Sequence, residues 1–111
     1  VLIIKLKRYT SFGSNLIKLN KLVEYDLDID ISNICCNKSQ CKYELNGVIN
    51  HVGGLNGGHY YSYVKNLYEG NKNEIIIGDN WFLCNDEKVS QIDEKNVINS
   101  KNAYMLFYHS I

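Results

Sequence analysis

Short extended runs succeed one another along this chain with no long helix between them, and that succession restricts the fold more than any other feature. "VLIIKLKRY" sets Leu2, Ile4 and Leu6 on one side and Lys5 and Lys7 on the other, the period of a half-buried strand. "TSFGSN" reads as a turn, and "LIKLNKLVEY" continues extended. From Asp26 to Gln40 the sequence is polar and thiol-rich with no clear period, so a loop is expected there. "CKYELNGVINHV" alternates again, with Tyr43, Leu45 and Ile49 expected on one face. "HYYSYVKN", "NWFLCND" and "KVSQI" read as further strands, "LYEGNKNE" as a loop and "IIIGD" as a short apolar run. "DEKNVINS" offers Asp93 as an N-cap for one short helix. "AYMLFY" is apolar on both faces, as in an interior strand covered on two sides. Consecutive strands joined without crossover helices pair antiparallel. The expected fold is therefore α+β, six or seven strands in a mostly antiparallel sheet with one short helix.

A chain of 111 residues is one domain at most, or a piece of one. It starts at Val1 rather than at methionine, as expected of an excerpt from a longer chain. Formal net charge is zero, which argues against nucleic acid or an anionic membrane as the main partner. No run reaches the length of a membrane span, and no signal or transit segment is visible. Cys35, Cys36, Cys41 and Cys84 accompany an apolar fraction sufficient for a packed core, so reduced thiols in an intracellular compartment are expected. "CCNKSQC" lacks the paired spacing of a zinc ribbon, and no metal site is expected.

Proline is absent, so turns fall to Gly, Asn and Asp. Against that background "GGLNGGHYYSYV" stands out. Its four glycines cost backbone order, and it lacks the Lys-Ser/Thr ending of a phosphate loop. The expectation is that this loop lies against the backbone of another protein. His59 follows it directly at the start of a strand. If the strands either side pair about a midpoint near position 72, His59 falls opposite Asn85, at roughly 5 Å between Cβ atoms. Asn85 shares a face with Trp81 and Leu83, while Asp86 points the other way, so only one of "ND" can face the imidazole. An Asn85 amide oxygen could accept from one ring N–H and fix the tautomer, as Asn does in papain-like Cys-His-Asn sites. Trp81 could shield that bond from water. Each residue also has a plainer reading: a surface histidine, a core tryptophan, an "ND" turn.

"VLIIKLKRY", "KLVEYDLDID", "YELNGVINHVGGLNGGHYYSYVKN", "NWFLCNDEKVSQI" and "NAYMLFYHSI", in that order, resemble the C-terminal half of a ubiquitin-specific protease catalytic domain. The resemblance spans nearly all of residues 1–111 and implies the sheet half of a papain-like cysteine protease. It implies His59 as general base, Asn85 as third member of the triad, and an assisting role for Asp86. It also implies that Gly57, Gly58, Tyr60 and Trp81 border a channel for ubiquitin's C-terminal Gly-Gly tail, with "TSFGSNLIKLN" as a second blocking loop. The partners so implied are ubiquitin and ubiquitinated proteins, and the chemistry needs no cofactor. The sequence departs from the family pattern at Lys5, Asp26 and Cys84, where histidine, proline and an aromatic are common.

The family's cysteine lies upstream in an Asn-rich helix start that nothing here matches, so this stretch is expected to be inactive alone. Cys35, Cys36 and Cys41 sit in a polar loop with no helix N-terminus to lower a thiol pKa. Alternation turns Cys84 away from the face of Asn85, leaving it the part of a small buried hydrophobe. The alternatives are a catalytically inactive ubiquitin-binding scaffold and an unrelated all-β interaction domain.

Overall fold

A computed structural model of the chain describes residues 1–54, 57–65 and 80–111. Among these residues the strands are β1 (Leu2–Lys5), β2 (Tyr9–Phe12), β3 (Asn15–Lys18), β4 (Asp28–Asp30), β5 (Lys42–Val52), β6 (His59–Lys65), β7 (Trp81–Asn85), β8 (Lys88–Ile92) and β9 (Ala103–Ser110), with one helix, α1 (Glu94–Ile98). Seven strands form one sheet in the order β1-β9-β5-β6-β7-β8, with β4 against the start of β5, and every pairing is antiparallel. The mostly antiparallel sheet with one short helix is the architecture expected from the sequence. The runs "LYEGNKNE" and "IIIGD" lie outside the described residues.

One local expectation is corrected and two are refined. Asp28–Asp30 is a strand, because Leu27, Ile29 and Tyr43 supply apolar contacts that a window of aspartates conceals. "TSFGSN" does turn, but as part of a separate two-stranded hairpin, β2–β3, closed over Gly13 at φ +64°. Asp93 holds the N-cap position of α1, yet its side chain makes no capping hydrogen bond.

The largest correction is in β5. Leu45 pairs with Tyr108 and Gly47 with Phe107, so Asn46 is an extra residue, a β-bulge. Because side chains alternate with period two, one extra residue moves everything after it to the other face. Val48 and Asn50, rather than Ile49, therefore join Leu45 inside. The core is Leu45, Val48, Tyr63, Trp81, Leu106 and Tyr108, closed on one side by Val97 of α1 and by Tyr25 and Leu27. β9 lies between β1 and β5 as an interior strand.

Arg8, the single arginine, sits where β1 passes into the hairpin and is only 4% exposed. It donates to the carbonyls of Ala103 (2.8 and 3.0 Å), Leu19 (3.2 Å), Lys101 (3.2 Å) and Lys21. One planar guanidinium thus ties the foot of the hairpin to the start of β9.

Two phenols, Tyr108 buried and Tyr25 partly buried, fasten the covering segment. Tyr25 donates to the Val97 carbonyl and Tyr108 to the Asp26 carbonyl at 2.7 Å. Burial, and then the charge of Asp26, push Tyr108 up to about 12, while burial first pushes Tyr25 up as well. A folded pKa raised above its unfolded value near 10 stabilises the fold fully below pH 10 and loses that contribution as pH climbs to about 12. Urea midpoints measured between pH 10 and 12 are expected to fall, and to fall less steeply in Tyr108→Phe. Equal slopes in the two proteins would count against the assignment.

Candidate functional site

His59 opens β6 and pairs with Val52 at the end of β5. Alternation along β6 sets His59, Tyr61 and Tyr63 on one face. Ser62 pairs with Cys84 and Lys65 with Trp81, so both pairs centre on 73 rather than on the expected 72. That register, continued one step, sets Asn85 beside Tyr61, and His59 reaches it on the diagonal. Moving the centre by one residue moves the partner by two, which preserves the face.

His59 Nε2 and Asn85 Oδ1 are 2.5 Å apart at the exposed margin of the sheet. An amide oxygen only accepts, so Nε2 carries the proton and Nδ1 keeps its lone pair. The imidazole also lies parallel to the Tyr61 ring, 6.5 Å between centroids. Asn102 Nδ2 donates to the Tyr61 hydroxyl at 2.9 Å, which fixes that platform from behind. The ring is thereby held in one orientation and one tautomer with a proton-accepting nitrogen directed away from its orienter.

Asp86 is placed differently. It occupies the two-residue turn between Asn85 and Lys88, at φ +53°, and makes no hydrogen bond to His59. Asp tolerates this left-handed conformation better than most residues, so the second letter of "ND" is accounted for by the turn. Trp81 corrects the expectation of a channel residue: it is 1% exposed, packed in the core at the far end of β7, with its indole N–H toward Glu94 Oε2 at 3.4 Å. Four residues of strand, roughly 13 Å, separate it from Asn85, too far to shield the His59 hydrogen bond.

The glycines divide between two causes. Gly57 has φ +154° and open space where a Cβ would stand. A Cβ on Gly58 would overlap His51 Nε2 and lie 2.6 Å from the Val52 carbonyl. A Cβ on Gly53, itself at φ +117°, would meet Gly58 Cα at 2.8 Å. Gly53 and Gly58 are therefore required by the closure of the β5–β6 connection upon itself, a reason internal to the chain. Tyr60, 57% exposed, turns to the other face of β6 and lies on the His51 ring, 4.6 Å between centroids.

Among the described residues no cysteine hydrogen-bonds His59. Cys41 is buried at the opposite end of β5, where its thiol and that of Cys35 meet the Asn37 carbonyl at 3.0 and 3.2 Å. Burial pushes the Cys41 thiol up, away from thiolate. Cys84 is half-buried on the face away from Asn85, in a groove with Ile49, Tyr60 and Ser62. Among the described residues no three His, Cys, Asp or Glu side chains converge as a metal ion requires, and no helix is long and apolar enough to cross a membrane.

Sequence reasoning missed Lys18. Its ammonium meets His51 Nδ1 at 3.0 Å and donates to the carbonyls of His51 (3.2 Å) and Gly53 (2.8 Å). A lysine in a run that reads as alternating strand gives no signal of a partner more than thirty residues away.

Residues 1–108 match the sequence profile described as "Ubiquitin carboxyl-terminal hydrolase". Ubiquitin carboxyl-terminal hydrolase 15 of Homo sapiens is 36% identical over 111 residues, covering 97% of this chain and 10% of that protein. Ubiquitin carboxyl-terminal hydrolase 8 of Saccharomyces cerevisiae is 34% identical over 121 residues, covering 97% of this chain and 23% of that protein. Among solved structures, the SAGA Ubp8 DUB module bound to ubiquitin aldehyde superposes with a TM-score of 0.80 at 29% identity, over 98% of this chain and 24% of that one. The chain thus spans a quarter or less of the lengths of these relatives.

Proposed function

The chain belongs to the ubiquitin carboxyl-terminal hydrolase family, and from that premise we propose that residues 1–111 are the C-terminal portion of a ubiquitin-specific protease catalytic domain. The intact protein hydrolyses the peptide or isopeptide bond after the C-terminal glycine of ubiquitin. The observation that carries this reading is the Nε2–H···Oδ1 bond from His59 to Asn85, which leaves Nδ1 as a free base at an open sheet margin. One structural relative is bound to ubiquitin aldehyde, which supports ubiquitin as the substrate.

Nδ1 of His59 takes the proton of a cysteine thiol supplied by the protein outside this chain. The thiolate adds to the glycine carbonyl carbon, the C–N bond breaks, and the imidazolium returns its proton to the departing amine. The same nitrogen then removes a proton from water as oxygen replaces sulfur on the acyl carbon. Asn85 orients the ring throughout and stabilises the imidazolium by accepting from Nε2. Gly57 leaves room for the substrate backbone, and Tyr60 borders the approach. The chemistry calls for no cofactor, and the compartment is intracellular, cytoplasmic or nuclear.

The test compares Asn85→Ala with Asp86→Ala in the intact protein, using ubiquitin that carries a fluorogenic C-terminal amide. Asn85→Ala is expected to lower kcat roughly 10- to 100-fold through loss of ring orientation, and Asp86→Ala less than about threefold, because its side chain does not touch the imidazole. Equal losses, or a larger loss at Asp86, would displace Asn85 as orienter. Binding of ubiquitin with no turnover in the parent protein would leave the scaffold reading in place of the hydrolase.

A further inference from the structure

We propose that Lys18 is a positioning residue for His59, holding Gly53 just after β5 and, through the His51 ring, Gly58 just before the imidazole; this rests on the catalytic reading above. Lys18 closes the foot of the β2–β3 hairpin opposite Tyr9, yet the hydrogen bonds of its ammonium all go to β5 and the residue after it. An ammonium has three donors and no acceptor. Here all three have partners: the carbonyls of Gly53 and His51, and Nδ1 of the His51 ring.

The consequences run along the chain toward His59. Because Nδ1 of His51 accepts from Lys18, the His51 proton sits on Nε2, and the ring is fixed as a neutral tautomer. Burial, and then the Lys18 charge, hold His51 below the usual histidine range, in keeping with that neutral ring. The Tyr9 hydroxyl, 3.5 Å from Nδ1, and the Tyr60 ring hold it from two further sides. The far edge of the ring abuts Gly58, the residue before His59, so closely that no Cβ fits between them. Lys18 therefore clamps Gly53 directly, through its carbonyl, and Gly58 through the His51 ring. Gly53 and Gly58 are in turn packed backbone to backbone. Gly53 and Gly58 each have backbone freedom that other residues lack, and these contacts remove much of it. Catalytic geometry is sensitive to displacements of about 1 Å, so loosening these contacts should reach the chemistry without touching the substrate.

The experiment uses the intact protein with Lys18→Met, Lys18→Arg and, as reference, His59→Ala. Two readouts are taken: steady-state kinetics on the ubiquitin amide reporter, and hydrogen–deuterium exchange at the Gly58 and His59 amides. Lys18→Met keeps the aliphatic stem and removes the donors. It is expected to lower kcat about 10- to 100-fold with KM within about threefold, and to raise exchange at the two amides about tenfold or more. Lys18→Arg, whose donors reach the same carbonyls, is expected to restore most of both. Parent-like kcat and exchange in Lys18→Met would overturn the clamp, as would losses that arginine does not restore. If Lys18→Met does not fold, Lys18→Arg must show parent-like kcat and exchange for the clamp to stand. Full turnover in His59→Ala would instead sink the catalytic reading and leave the exchange result to decide the clamp.

Discussion

Replacement of His59 by alanine in the intact protein is expected to lower kcat on a ubiquitin C-terminal amide about a hundred- to ten-thousandfold. The loss should fall on kcat and kcat/KM together, with KM little changed, because a general base acts on the transition state rather than on bound substrate. The physical ground is the division of labour between the two ring nitrogens. Nε2 is committed to Asn85, and Nδ1 is the only nitrogen of that ring able to accept a proton. Among the described residues the other candidates are placed elsewhere: Asp86 belongs to the turn, and His51 is committed to Lys18 on the far side of β6. Neither is positioned to take over the role. Turnover within about tenfold of the parent would end the assignment of His59 as base.

The second large effect is on stability. Arg8→Met is expected to destabilise the fold by about 3–5 kcal/mol, read as a fall in the urea midpoint. Four backbone carbonyls, those of Leu19, Lys21, Lys101 and Ala103, depend on this guanidinium, and it makes no ion pair among the described residues. Methionine fills part of the volume and leaves the carbonyls without a donor. Arg8→Lys should recover only part of the loss, because an ammonium has three donors at one point where the site spreads its acceptors across a plane. A midpoint shift worth less than about 1 kcal/mol would show that water replaces the guanidinium without cost.

Arg8 also illustrates why part of the fold is hidden in the sequence. There it sits at the end of an amphipathic run beside Lys5 and Lys7, where a surface cation is the natural reading. Its burial depends on carbonyls more than ninety residues away. The β-bulge at Asn46 escapes for a related reason. Alternation is counted along one strand, whereas a bulge is defined by what the partner strand pairs with, so Ile49 reads as facing where Val48 does. β4 is concealed because its aspartates read as loop until Tyr43 and Glu44 pair with it. By contrast β1, β6, β7, β8, β9 and α1 are legible, each declared by its own apolar period or by turn residues at its ends.

The site divides along the same line. Alternation, together with an assumed midpoint near 72, places Asn85 and not Asp86 on the face of His59; the observed centre at 73 keeps that facing because a shift of one whole residue in the midpoint moves the partner by two. It cannot determine that Asp86 belongs to a left-handed turn, that Trp81 faces α1, or that Lys18 reaches across to Gly53. Those are contacts between elements distant in sequence, formed only when the sheet has closed. The sequence of this protein thus settles which strands exist and which way most of their residues face, because both are local properties of the backbone. The tertiary structure alone decides which polar groups hold the His59 margin in place, because a hydrogen bond needs both partners at one point in space.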